Sequence, residues 1–395
     1  MRLSERARAA PPFYVMEIAK EAARIAAEVA HTTRPMLFLN IGEPDFTAPA
    51  AVQQAARDAI DRGQTQYTPA TGLPRLREAI SHWYSQRFGL RVDAARIIVT
   101  SGASAALQLA CLALVDAGDE ILMPDPCYPC NRQFVHAAGG ASRLLPAPAA
   151  QRFQLDARQV AQAWGPRTRG VMLASPSNPT GTSIAAPELA AIHAEVRRRD
   201  GYILADEIYL GLSHDEAYGQ SALALGDEGI VSINSFSKYF CMTGWRLGWL
   251  VVPPALAGAV ERLAQHLFIC PNAIAQHAAL ACFEPESIAE YERRRLEFRR
   301  RRDAFIPELD RLGLTVPVMP DGAFYAYADS TQAARKLGVS GSWELAFALM
   351  RQAHVVVTPG RDFGQAEPER FIRFSTASSM AQLQEAARRL QEILA

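Results

Sequence analysis

The 395-residue sequence predicts an α/β protein, in which a large domain with a mostly parallel sheet sandwiched by helices is joined to a smaller α+β domain. Three observations predict it. From Ala48 to about Pro285, short apolar runs bounded by turn residues alternate with amphipathic stretches of helical period, the pattern of strands buried on both faces and linked by crossover helices. Beyond Pro285 a long charged helical stretch is followed by isolated β-like runs. A hydrophobic content of 49% supplies enough apolar surface for one large core and a smaller one. The expected division is residues 46–285 for the large domain, with 1–45 and 286–395 forming the small domain and its N-terminal arm.

The first element is a helix from Phe13 to Ala30. It is followed by Met36-Leu-Phe-Leu39 and has no other strand nearby, so it is expected to pack on the C-terminal part. Helical periods then run over Pro74 to Phe88, Ser104 to Val115 and Pro187 to Arg199. Strands are expected at Arg96–Thr100, Glu120–Met123, Gly170–Ala174, Tyr202–Ala205, Ile230–Ile233 and Leu247–Val252, each ending at one common edge of the sheet. Ligands of open α/β sheets gather at that edge, so the polar residues just after each strand are the candidates for chemistry. The last third reads as a helix from Ser287 to Leu312, strands at Ala323–Tyr327, Val355–Val357 and Phe371–Phe374, and a final helix.

Lysines and arginines total 41 and acidic residues 41, so no basic excess draws the chain to nucleic acid or anionic lipid. The longest apolar runs contain prolines and fall short of the roughly 20 residues that cross a membrane. The basic start, Met1 to Ala10, runs into Pro11-Pro12 without the apolar core of a secretion signal, and the expected location is the cytoplasm. Six scattered cysteines fit reduced thiols. Cys127-Tyr-Pro-Cys130 has the spacing of redox dithiols and of half a zinc site, with no second pair or histidine cluster beside it.

The most informative segment is Ser235-Phe-Ser-Lys238-Tyr-Phe-Cys-Met-Thr-Gly-Trp-Arg246-Leu-Gly248, directly after a strand. It puts an amine beside hydroxyls and a guanidinium, the groups that would hold a reactive carbonyl and a phosphate dianion together. The segment resembles the cofactor-lysine signature of the class I/II aminotransferases, the aspartate-aminotransferase superfamily of pyridoxal-phosphate enzymes with fold type I. The resemblance covers almost the whole chain, from about Phe13 to the end, and its other segments follow in the family's order.

Thr100-Ser-Gly-Ala103-Ser104 opens a helix whose free N–H groups would face an anion, and Ala103 and Ser104 match the family's phosphate positions. Ala174-Ser-Pro-Ser-Asn178-Pro-Thr-Gly181 resembles the loop whose asparagine donates to the cofactor's phenolic oxygen. By residue type alone it is an Asn-Pro turn. Leu204-Ala-Asp206-Glu-Ile-Tyr209 matches the aspartate that keeps the pyridine nitrogen protonated and the tyrosine that shares the ring oxygen with Asn178. Without the resemblance, Asp206 could equally cap a helix. Tyr128 matches the aromatic residue that covers one face of the cofactor, and is otherwise an ordinary half-buried tyrosine. Tyr67 resembles the tyrosine that reaches the phosphate of a neighbouring subunit, which implies a homodimer with shared active sites.

For the substrate carboxylate, the resemblance implies Arg373, in the apolar run Phe371-Ile-Arg-Phe-Ser375, and Gly42, in the turn Asn40-Ile-Gly-Glu-Pro-Asp45. Arg373 read alone could be a surface ion pair on an edge strand. At Ser104 some dicarboxylate-preferring members carry a lysine, and its absence here weakens an aspartate reading. The implied reaction is ping-pong transfer of an amino group from an L-amino acid, with a preference for neutral or apolar side chains, to a 2-oxo acid such as 2-oxoglutarate or pyruvate. In it Lys238 is both anchor and general base, with Asp206 and Tyr209 beside it. Two other readings share these residues: a C–S β-lyase, which would release pyruvate and ammonia without an acceptor, and a non-catalytic pyridoxal-phosphate-binding sensor. The latter is disfavoured by the zero net charge, the lack of a spare N-terminal domain and an arginine ready for a carboxylate.

Overall fold

The computed structural model describes residues 2–9 and 14–395. Pro11, Pro12 and Phe13, the last of them the expected first residue of the N-terminal helix, lie outside the described residues. Twelve strands follow in chain order: β1 Leu37–Phe38, β2 Ile97–Thr100, β3 Glu120–Asp125, β4 Ala141–Pro146, β5 Thr168–Ala174, β6 Tyr202–Asp206, β7 Ile230–Ser235, β8 Gly248–Val251, β9 Tyr325–Asp329, β10 Val355–Val356, β11 Thr358–Pro359 and β12 Phe371–Ser375.

Seven of them form one sheet in the order β2-β8-β7-β6-β5-β3-β4. All are mutually parallel except β8, which is antiparallel to both β7 and β2. Alternate residues of each strand enter different cores. Ile97, Val99, Leu122, Val171, Leu173, Ile203, Trp249 and Val251 face one side with the helices Ala50–Asp61 and Pro74–Phe88. Ile98, Met123, Met172, Leu204, Val231 and Leu250 face the other, against Ala103–Leu114 and Pro254–Phe268. Burial on both faces is why these strands read as continuous apolar runs.

A third core gathers both ends of the chain. Ile18, Ala22 and Ile25 of the helix Tyr14–Val29 pack with Leu309, Leu345, Val355, Ile372, Phe374 and Leu390, as expected for a helix whose partners are C-terminal. Two small sheets belong to this part: β1 pairs with β10 in parallel, and β12 lies between β11 and β9. The 27-residue helix Pro285–Arg311 continues through Pro307.

Three expectations need correction. Because β8 runs against its neighbours, its beginning rather than its end lies at the common edge, so Arg246 reaches the site from before a strand. β4 has no counterpart in the sequence reading. It is an edge strand of alternating exposure, and Ala141-Ser-Arg-Leu-Leu-Pro146 carries little β-branched or aromatic signal. β9 starts two residues later than expected because Ala323 has a left-handed backbone (φ 58°) that turns the chain before pairing begins.

Candidate active site

The parallel strands deliver their C-terminal ends to one edge, and register aligns those ends. Asp206 ends β6 opposite Ala174 at the end of β5, and Ser235 ends β7 opposite Gly248, which also pairs with Thr100 at the end of β2. Just beyond these ends lies a cavity of about 460 Å³. Every residue expected to bind cofactor or substrate or to act in catalysis lines it except Tyr67, which is 85% exposed and elsewhere on the surface.

One end of the cavity is built for an anion. The helix Ala103–Leu114 starts at Gly102, with no side chain capping its first N–H groups. Gly102 has φ 85°, and a Cβ there would lie 2.7 Å from an Arg246 guanidinium nitrogen, so only glycine lets the arginine close over the helix start. Arg246 is anchored by donating to the Thr243 carbonyl at 2.9 Å, and the Ser235 hydroxyl accepts the Ser237 N–H at 3.0 Å. Ala103, Ser104, Ser235, Ser237 and Arg246 therefore converge on one place, where dipole and charge favour a phosphate.

Lys238 lies further in, half-buried, and its Nζ donates to the Gly42 carbonyl at 2.6 Å. Burial lowers its pKa to about 8; Arg373 and Arg246 push the same way, against Glu43 and Asp206. Asp206 is 3% exposed, and burial raises its pKa to about 6, opposed by the Ile208 N–H, the Asn131 amide and Lys238. It caps no long helix: the Ile208 N–H reaches it at 3.3 Å and the chain then turns. A buried carboxylate in this state is stabilised by any cationic or N–H⁺ group brought against it.

At the other end is Arg373, on β12. This is the central strand of its sheet and the arginine is 6% exposed, so the edge-strand surface pair is excluded. Its guanidinium donates to Asn178 Oδ1 at 2.7 Å and to the Asn40 carbonyl at 2.6 Å, and sits over the rings of Tyr325 at 4.5 Å and Phe363 at 5.0 Å. With Oδ1 engaged, Asn178 keeps its NH₂ as a donor. Tyr209 and Tyr325 join hydroxyls at 2.7 Å, and Tyr128 stands half-buried on the wall. Cys127, beside it, is a core thiol pushed up to about 12 by burial, and all six cysteines are unpaired.

Three features escaped the sequence. Tyr325 sits in the expected strand Ala323–Tyr327, to which the sequence assigned no site residue. The apolar wall of Val15, Met16, Ala19, Phe38 and Ile41 joins two segments from the N-terminus to the cavity. The backbone N–H groups of Tyr14 and Val15 lie toward the buried Asp362 carboxylate and oppose the upward push of burial on it, so a residue near the far end of the chain faces the start of the helix that carries this wall. Only this aspartate had a signal, as an acidic residue in a Gly-rich turn, and that pattern names no partner. A wider cleft of about 1230 Å³ elsewhere contains arginines already paired, Arg152 with Asp321 and Arg295 with Glu292, and no strand-end residue.

Comparison with known proteins agrees with this geometry. Residues 34–390 match the family described as aminotransferase class I and II. Valine–pyruvate aminotransferase of Mycobacterium tuberculosis is 38% identical over 380 residues, 96% of this chain and 95% of its own. A crystal structure of an aminotransferase from the same organism superposes with a TM-score of 0.92 at 38% identity, covering 100% of this chain and 99% of that one. Aspartate aminotransferase from Thermus thermophilus with maleate gives 0.90 at 32% identity, with 100% of both chains covered. The chain belongs to the class I and II aminotransferases, with fold type I. It is a pyridoxal-phosphate-dependent enzyme that transfers an amino group from an amino acid to a 2-oxo acid. The residues present fit that cofactor: an uncapped helix start with an arginine for the phosphate, a lysine of lowered pKa for the aldehyde and a buried carboxylate for the ring nitrogen. Among the described residues no helix is long and apolar enough to cross a membrane.

Proposed function

We propose that the enzyme takes its amino group from an L-amino acid with a neutral or apolar side chain and passes it to pyruvate or 2-oxoglutarate by a ping-pong mechanism. One observation carries the donor preference. Among the described residues the cations lining the cavity are Lys238, Arg246 and Arg373, each matched to a group already assigned, so none of these remains for a side-chain carboxylate. The wall facing that position is the apolar set led by Val15, Met16 and Ile41. The preference also agrees with the name of the Mycobacterium tuberculosis relative.

The roles follow from position and charge. Pyridoxal phosphate, when bound, supplies an aldehyde that condenses with amines and a ring that withdraws electrons. Arg246, Ser235, Ser237 and the N–H groups of Ala103 and Ser104 hold its phosphate. Asp206 keeps a proton on the ring nitrogen, Asn178 and Tyr209 donate to the ring oxygen, and Tyr128 covers one ring face. Arg373 and Gly42 bind the substrate carboxylate. Lys238 would hold and move the proton released at the substrate Cα, a task suited to an amine with a pKa of about 8.

Residues 46–285 carry the cofactor groups in this reading, while 1–45 and 286–395 bring Gly42, the apolar wall and Arg373. Tyr67, exposed at 85%, serves the phosphate of a partner subunit in a homodimer, and the enzyme works in the cytoplasm. The test is a spectrum of the loaded protein and of Lys238→Ala, followed by a panel of amino acids without any 2-oxo acid. Valine, alanine and leucine should shift the band near about 400 nm expected of a lysine-bound pyridoxal to shorter wavelength; aspartate should leave it in place, and Lys238→Ala should lack it. Rapid bleaching by aspartate alone would overturn the donor preference. Accumulation of pyruvate and ammonia would replace transfer by β-elimination.

A further inference from the structure

We propose that Tyr325 is a positioning residue of the reaction, whose hydroxyl fixes the direction in which Tyr209 donates and locks the Gly42 turn and Arg373 around it. The assignment rests on the reading that Tyr209 faces the cofactor's ring oxygen. Tyr325 opens β9, is 2% exposed and lines the cavity. Three parts of the site meet on it. Its hydroxyl is 2.7 Å from that of Tyr209, and the two rings meet edge to face at 5.5 Å. Its ring carries the Arg373 guanidinium at 4.5 Å. A Cβ built on Gly42 would lie 2.0 Å from its hydroxyl oxygen, so that oxygen occupies the place of any side chain at position 42. Gly42 is also the residue whose carbonyl takes the Lys238 ammonium.

Direction follows from counting hydrogens. A phenol has one O–H, and of two hydroxyls in contact only one can donate. If Tyr209 commits its hydrogen to the cofactor, the hydrogen between the tyrosines comes from Tyr325. Tyr325 is therefore the donor, Tyr209 the relay, and donation onto the Tyr209 oxygen makes that phenol a stronger donor in turn. A phenylalanine at 325 would keep the packing and the cation–π contact while leaving Tyr209 free to rotate away.

The decisive experiment is a pH titration of the bound cofactor's absorption, without amino acid, in wild type, Tyr325→Phe, Tyr209→Phe and the double variant. Losing the Tyr325 donor leaves negative charge on the ring oxygen less stabilised, so a proton is held to higher pH. The midpoint should rise by roughly threefold in proton affinity, part of the effect of one hydrogen bond, and Tyr325→Phe should add nothing in the Tyr209→Phe background. An unshifted midpoint, or an equal shift in both backgrounds, overturns the relay. In parallel, Gly42→Ala should weaken cofactor retention at least tenfold in wild type and markedly less in Tyr325→Phe, where the clashing oxygen is gone; equal losses in both would detach Gly42 from Tyr325 and overturn the lock. A midpoint unmoved in Tyr325→Phe but raised in Tyr209→Phe counts against Tyr325 alone, one unmoved in both counts against the placing of Tyr209 at the ring oxygen, and bleaching by the wrong amino acids counts against the donor preference.

Discussion

Lys238 combines two demands that a solvated lysine would not meet. It must be neutral often enough to attack an aldehyde, and it must be held at a fixed place. Burial lowers its pKa to about 8 and the Gly42 carbonyl, 2.6 Å away, fixes its end. The ammonium form is the disfavoured one, so the neutral fraction grows as pH rises toward that value and saturates above it. Capture of pyridoxal phosphate by the cofactor-free protein, followed by stopped-flow absorbance, should therefore accelerate about tenfold per pH unit below about 8 and level off above it. A profile still rising at pH 10 would mean that the surroundings do not depress this lysine. Asp206 shows the complementary case: burial raises its pKa to about 6, yet it remains largely a carboxylate near neutrality. Both residues were legible in the sequence because each closes or follows an apolar strand. Their pKa values were not, since these come chiefly from burial by segments far away in the chain, reinforced at Lys238 by Arg373 and opposed at Asp206 by Asn131.

Among the elements, the helix Ala103–Leu114 depends on the smallest residue. Gly102 gives its start a positive φ, leaves the first N–H groups uncapped and admits Arg246 at a distance no Cβ would permit. Gly102→Ala should force an alanine into a backbone conformation (φ 85°, ψ 168°) that is essentially glycine's alone, a strain of about 1–3 kcal/mol, and push the guanidinium aside. Equilibrium dialysis should show pyridoxal phosphate held at least tenfold more weakly, with a melting temperature of the cofactor-free protein lowered by only a few degrees. Unchanged retention would mean that the helix start and Arg246 do not share an anion. The strand-to-helix turn was visible in the sequence, but the approach of Arg246 depends on β8 running antiparallel between β2 and β7, and residue periodicity carries no strand direction. The helix Tyr14–Val29 was likewise visible as an amphipathic stretch. Its place beside the cavity arises from packing on C-terminal strands.

For the whole molecule, twelve of the thirteen expected site residues meet in one cavity, and the exception is Tyr67. In the proposed homodimer this exposed tyrosine would be free to reach a partner's site. Mixing Lys238→Ala with Tyr67→Ala under conditions that exchange subunits should restore activity beyond that of either variant, because each hybrid dimer holds one intact site. Failure to recover activity, with exchange verified by mass spectrometry, would place Tyr67 outside the chemistry.

The sequence by itself determined the α/β class, the order of its strands and helices along the chain, and the polar residues that follow each strand, because burial on both faces and turn chemistry are local patterns written in consecutive residues. The tertiary structure alone decided that β8 reverses, that Tyr325 bridges Tyr209, Gly42 and Arg373, and that an N-terminal helix lines the apolar side of the cavity. These are contacts between residues as much as several hundred positions apart. They follow from strand pairing and close packing, which no short window of sequence encodes.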